Sequence, residues 1–425
     1  MAILSLIGMI ALLQPGHPDD APEWDVDWFL QVGHVRALAP HPAGGMWVVG
    51  SGRESGDLWH VDHRTVERAA ALREPRPWPI QPVPPEAQLD AWIDPLHVDW
   101  GLRAAAVDDE SRLWVATGSG LLEVAPDGPV LHVSLRPIAG FGPSLFHYSQ
   151  TQPPRRAGSA TVMAAGPHGI WAWGSELGLL RRTCGVWHPY SGYFPRDRDN
   201  QLLDDLIGDA HITAMACHPD GRVALGAASG AVLLLTQTEA HGGTDVHLHS
   251  RHETETTGIS GAISDLEWDS RGRLWAASRG RYDAFGDMPG TVAVMDGDSW
   301  RAWPPRSAGL PPRPISAVCE VETGRVWIGV DWHDGYSGGS PPPQTGLLEL
   351  VGDEWRYVDP PAFHRELQYV HDREQRLWRQ SVTNQCWRHV DALRADGQGR
   401  VWVGTHAGLA VFSGSEGSTA PPTNP

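Results

Sequence analysis

Short stretches in which apolar and polar positions alternate run through most of the chain. They are HVRALA (34–39), LRAAAV (102–107), TVMAAG (161–166), ITAMAC (212–217), ISDLEW (263–268), ISAVCE (315–320) and VDALRA (390–395). A period of two predicts strands with at least one buried face. Tight polar segments such as DDESR, HPDGR, DSRGR and DGQGR follow them, and their Asp and Gly residues suit hairpin turns. A second apolar stretch then centres on Trp47, Trp114, Trp171, Trp275, Trp327 or Trp402, with Ala224 taking that place in the fourth copy. A third strand comes next (LLEV, LLRR, AVLLL, TVAVM, LLEL, LAVF), and often a fourth (VWHPY, SWRAW, EWRYV).

Four short antiparallel strands, with the central Trp recurring at spacings of 51–75 residues, predict an all-β, seven-bladed β-propeller. The indole has a plain role there, filling the gap between neighbouring blades. Its burial removes roughly 150–250 Å² from water, about 4–6 kcal/mol before entropy is subtracted. The last copy lacks a fourth strand, while EWDVDWF (23–29) reads like one at the other end of the chain. Glu23–Leu30 is therefore expected to complete the last blade and close the ring. LQYVHDREQRLWRQS (367–381) imitates the strand–turn–Trp phrase and leaves eight blades as the alternative, beside an extra hairpin or a helix. The expected organisation is a single propeller over 23–413, a signal peptide or disordered N-terminus over 1–20, and a disordered tail over 414–425.

The composite phrase combines Gly-Leu-Pro, Ile-x-x-Leu, Asp-x-x-Gly-x-Leu-Trp-Val-Gly-Thr and Gly-Leu. It resembles the two-component regulator propeller repeat, best in GLPPRPISAV (309–318) with GRVWIGV (324–330) and in VDALRADGQGRVWVGTHAGL (390–409). The likeness extends over about 34–412, with degenerate copies at GIWAWGSELGLL and GRVALGAASGAV. It implies an extracytoplasmic, sensor-type propeller that binds glycans or other ligands and signals through a membrane helix and kinase. Neither is read in this sequence, so the signalling output is expected from a partner such as a separate sensor kinase.

Composition narrows the chemistry. The 425 residues are 41% hydrophobic and 20% charged, which suits a folded chain with a large core. Net charge is −18 and there is no lysine, which excludes lysine Schiff-base chemistry and a Walker-type lysine. An acidic chain without a basic stripe also argues against nucleic acid. Cys184, Cys217, Cys319 and Cys386 are far apart and form no CxxC pair, so thiolate-metal and redox readings are weak. The apolar run MAILSLIGMIALL (1–13) is too short to span a bilayer, and it lacks the basic start and A-x-A site of a standard signal peptide. Export makes the protein periplasmic or secreted, and otherwise it is cytoplasmic. No membrane span and a monomeric state are expected.

Strand order also predicts two unlike rims. The long connections, at 72–100, 134–159, 189–210, 237–261, 279–290, 331–345 and 359–388, are all expected on the rim that joins second to third strands and blade to blade. Three groups stand out there. His34, His211 and His389 precede the opening strands of blades 1, 4 and 7, where they form a candidate divalent-metal site at the channel mouth or are simply polar strand starts. Arg281, Tyr282 and Asp283, with Asp331, Trp332, His333, Asp334 and Tyr336, place aromatic rings beside carboxylates and Arg, as a sugar or peptide groove does, or form a solvated loop. Trp378 lies in a long inter-blade connection, to bind ligand or anchor the loop.

No catalytic residue is assigned: there is no H-E-x-x-H pair and no Gly-rich loop between strand and helix. HLHSRH (247–252) is a weak metal tract beside an outer strand. The reading is a non-catalytic propeller that recognises a glycan, small ligand or protein and needs no cofactor. The alternative is a metal-assisted lyase or hydrolase that uses the channel-mouth histidines.

Overall fold

The computed structural model describes residues 24–30, 34–41, 44–51, 56–61, 103–117, 120–124, 130–133, 161–174, 178–183, 186–190, 211–240, 243–283, 286–303, 313–331, 346–358, 389–406 and 408–414. Their alternating stretches form antiparallel sheets that follow one another along the chain. Numbered 1 to 7, these open with strands His34–Pro40, Ala104–Val107, Val162–Gly166, Ile212–Cys217, Ile263–Trp268, Ile315–Glu322 and Val390–Ala395. Sheet 1 has three described strands and the others four, and a two-stranded ribbon branches from sheet 5. The first strands touch in a closed circuit, each against the next and that of sheet 7 against that of sheet 1. Sheets set radially around a channel lined by their first strands make a β-propeller.

The ring closes as expected from the sequence. Trp24–Leu30 pairs antiparallel with Leu409–Gly414 and becomes the outermost strand of sheet 7. The segment 359–388, source of the eight-blade alternative, lies outside the described residues, as do 1–20 and 415–425. No helix among the described residues is long and apolar enough to cross a membrane.

The recurrent indoles do what burial predicts. Trp47, Trp114, Trp171, Trp275, Trp327 and Trp402 are at most 1% exposed. Each packs on the following sheet: Trp402 against Val35 and Met46 of sheet 1, Trp47 against Leu113 and Val115 of sheet 2, Trp327 against Val390 and Leu393 of sheet 7. Where sheet 4 carries Ala224, sheet 5 fills the space with Ile263, Leu266 and Leu274.

One expectation is corrected. The segment 237–261 is not a connection on the decorated rim. Its strand continues to Ala240 and returns as Gly243–His252, a long hairpin joining the third and fourth strands of sheet 4. That hairpin emerges on the rim of the tight first-to-second turns, where Gln237 Nε2 donates to Gly221 O at 2.6 Å. Only the stretch after His252, with a one-turn helix Thr254–Thr257, joins sheet 4 to sheet 5. HLHSRH accordingly belongs to the outer strand of sheet 4.

Candidate functional site at the channel mouth

Antiparallel pairing means that every first strand starts at the rim bearing the long connections. In sheets 1, 4, 5, 6 and 7 a β-bulge falls just inside that start, and the residue it skips is Arg36, Thr213, Ser264, Ser316 or Asp391. Sheets 2 and 3 have no bulge. Aligning them by the partner of the central Trp (Ala39 opposite Trp47, Ala106 opposite Trp114, Ala164 opposite Trp171) puts Arg103 and Thr161 at the same place. All seven side chains line one cavity of about 140 Å³ on the channel axis.

This ring is not uniform. The hydroxyls of sheets 4, 5 and 6 stitch each first strand to the next. Thr213 Oγ1 donates to Ile263 O at 2.6 Å, Ser264 Oγ to Ile315 O at 2.5 Å, and Ser316 Oγ to Val390 O. Thr161 Oγ1 donates within sheet 3, to Trp173 O at 3.3 Å. On sheets 7, 1 and 2 the equivalent residues are Asp391, Arg36 and Arg103. The repeat therefore gives up its stitching groups for charge along one arc, across the junction where the ring closes. Arg36 and Arg103 are exposed, and among the described residues neither enters an ion pair. Arg279, at the end of the second strand of sheet 5, is also exposed and unpaired among the described residues, and lines an adjoining cavity of about 220 Å³ with Arg103 and His211.

Histidines gather beside Asp391. Its Oδ2 lies 2.9 Å from His34 Nε2 and 3.1 Å from His406 Nδ1. The two imidazoles stack with centroids 3.8 Å apart, and His389 meets His406 edge-on at 4.7 Å. His389 is held in turn by Asp331, Nδ1 to Oδ1 2.6 Å, across an isolated antiparallel bridge between the two residues. Burial opposes ionisation of Asp391, but hydrogen bonds from His34 and His406 outweigh it and hold the carboxyl well below its usual range. Asp331 is lowered in the same way, His389 outweighing burial.

Deeper in the channel, Arg394 of sheet 7 reaches Glu267 of sheet 5, Nη1 to Oε2 3.1 Å, with Asp265 Oδ2 at 4.0 Å. Burial raises both carboxyls, Glu267 to about 7, against the pull of Arg394. Asp265 also accepts the Val318 amide at 3.0 Å. This group ties sheets 5 and 7 across sheet 6. Cys217 and Cys319 are unpaired, and burial pushes both thiols up, that of Cys217 to about 12, so neither is a thiolate nucleophile at neutral pH.

The sequence-derived candidates are only partly united. His34 and His389 come into one cluster, whereas exposed His211 stands on sheet 4 with its ring edge-on to Trp173 at 4.9 Å. Among the described residues, the group whose donor atoms lie within 4.8 Å of one another is His34, Asp391 and His406, not His34, His211 and His389. Asp331, expected in a sugar groove, joins the histidines instead. Arg281, Tyr282 and Asp283 lie on the ribbon of sheet 5, where Tyr282 pairs with Asp287. Trp332, His333, Asp334, Tyr336 and Trp378 lie outside the described residues.

No family model matches the chain, and no curated protein matches it in sequence. Solved structures do match. The extracellular domain of the hybrid two-component system BT3049 from B. thetaiotaomicron superposes with a TM-score of 0.54 at 12% identity, over 92% of this chain and 41% of that one. The chain shares its fold. It spans about two fifths of that sensor domain. Virginiamycin B lyase from Staphylococcus aureus superposes with a TM-score of 0.54 at 10% identity, over 92% and 99% of the two chains. YCF48, solved bound to D1 peptide, gives 0.52 at 11% identity over 95% and 98%.

Proposed function

We propose that the protein is a non-catalytic, seven-bladed propeller that binds an anionic ligand at the mouth of its channel, on the rim bearing the long connections. The observation that carries this reading is the break in the ring of equivalent positions. Four sheets keep a hydroxyl there, while sheets 1 and 2 present exposed Arg36 and Arg103 into the cavity, with Arg279 across the mouth. Guanidinium groups match carboxylate, sulfate and phosphate in pairs of hydrogen bonds, and a net charge of −18 makes such a cationic mouth specific to its place. The ligand class is an acidic glycan, a small polyanion or an acidic protein segment.

The fold shared with a sensor's extracellular domain supports an extracytoplasmic location. The lyase likeness is one of fold alone, at 10% identity, and does not favour catalysis. An array of acidic and neutral oligosaccharides and small carboxylates tests the proposal. Retention of acidic members alone supports it, and silence throughout or preference for neutral members overturns it.

A further inference from the structure

We propose that His34, Asp391 and His406 form a binding site for a first-row divalent cation such as Zn²⁺, set at the same mouth and bridging sheets 7 and 1. The site lies beside the anion-binding arc but stands on its own observations. His34 Nε2 and His406 Nδ1 both face Asp391 Oδ2, at 2.9 and 3.1 Å. Ions of this class bind imidazole nitrogen and carboxylate oxygen at about 2.0–2.2 Å, so neighbouring donors around one ion stand roughly 3 Å apart. Both nitrogens already stand at that distance from the carboxylate oxygen, and all three donor atoms lie within 4.8 Å of one another. The two imidazoles stack with 24° between their planes, and one nitrogen of each meets the same carboxylate oxygen. Two histidines and one carboxylate leave coordination positions open, and His406, with 44% of its side chain exposed, leaves them facing solvent.

The scaffold holds the donors from behind. Thr405, fully buried, donates from its amide and hydroxyl to Gly408 O at 2.8 and 2.9 Å, which fixes the turn that carries His406. The His406 amide donates to His389 O at 3.3 Å. His389, oriented by Asp331, packs edge-on against His406 as an outer support. Asp391 and His34 come from the first strands of the last and first sheets, so an ion here ties together the two sheets at which the ring closes. An ion held here would take the place of the contacts that now join His34 and His406 to Asp391.

The test uses the untagged full chain, stripped with chelator and titrated with Zn²⁺ and Co²⁺ with no organic ligand present. A failure of anion binding therefore leaves its outcome untouched. The expected result is one ion per chain, a visible-range Co²⁺ absorption and a rise in melting temperature that grows with ion concentration. His406→Ala and Asp391→Asn each weaken Zn²⁺ at least tenfold with unchanged circular dichroism. His218→Ala, which removes a histidine–carboxylate pair on the opposite rim (His218 Nδ1 to Asp220 Oδ1, 2.7 Å), leaves it unchanged. Absence of stoichiometric binding to the wild type, or affinity retained by both variants at the trio, overturns the proposal.

Discussion

The indole nitrogen of Trp402 donates a hydrogen bond to Oδ2 of Asp396 over 2.8 Å. The same oxygen takes Arg400 Nε at 2.7 Å, while Oδ1 accepts the amides of Gln398 and Arg400 at 2.8 and 3.0 Å. One carboxylate thus closes the hairpin turn, fixes the guanidinium and anchors the buried ring. Asp108 with Trp114 and Asp269 with Trp275 repeat the arrangement. Asp396→Ala is expected to cost about 2–4 kcal/mol, since several bonds to an ionised group are lost together. Asp220→Ala, at an exposed turn on sheet 4 whose strand lacks the Trp, is expected to cost less than about 1 kcal/mol. Urea midpoints of the two variants check this, and equal losses would count against it.

The glycine that follows the Trp by two positions has a packing reason. A Cβ on Gly404 would stand 2.6 Å from Val35 Cγ1 of the next sheet, and Gly329 and Gly226 meet Val390 and Ile263 in the same way. Gly404→Ala should destabilise by about 1–3 kcal/mol through forced separation of sheets 7 and 1. Adding Val35→Ala should restore part of that loss, because the two residues share one contact. Thermal melts of the single and double variants decide it, and strictly additive losses would contradict the contact.

Closure by the N-terminal strand predicts unequal truncations. Removing 1–32 strips the partner of Leu409–Gly414, and the melting temperature should fall by roughly 5 °C or more. Removing 1–20 should leave it within about 1 °C. Matching behaviour of the two truncations would contradict the pairing.

Glu267 gives stability a defined pH dependence. Burial lifts its carboxyl from the ordinary 4.5 to about 7, against Arg394 and with Asp265 and Glu320 adding to the rise. The folded chain then binds the extra proton between about pH 4.5 and 7. Its contribution to stability is complete below 4.5 and is lost as pH rises through 7. Glu267→Gln, which keeps the shape of the protonated acid, should remove this component. Midpoints of the wild type and the variant should diverge as pH increases across that window, with the wild type losing ground. An opposite slope would refute the assignment.

Much of this architecture is legible in the sequence because its causes are local. A two-residue period marks the strands, Asp and Gly mark the turns, and a recurrent indole marks the buried second strand. The site is less legible. Arg36 and Asp391 reach the channel through β-bulges, which no periodicity reveals, and Arg103 shares their place without one. Arg103 and Asp391 fall second in LRAAAV and VDALRA but Arg36 falls third in HVRALA, so the equivalence of all three emerges only from pairing with the Trp strand. His406 sits inside GTHAGL, which reads as repeat text, and its relation to Asp391 and His34 depends on ring closure. The segment 237–261 reads as a connection for a related reason. TQTEA and TDVHLHS are largely polar, and a strand that projects past the sheet need not show the apolar alternation of one packed on a core.

The claim that the charged arc at the channel mouth is the recognition surface is tested most directly by titrating the best acidic ligand from the array into three variants. Arg36→Ala and Arg103→Ala should each weaken binding at least tenfold, about 1.4 kcal/mol, at low salt, and their gap from the wild type should narrow as salt is raised. Arg301→Ala, on the outer strand of sheet 5 and exposed, should leave affinity within twofold. Full affinity in both arc variants, or an equal loss at Arg301, would place recognition elsewhere on the molecule.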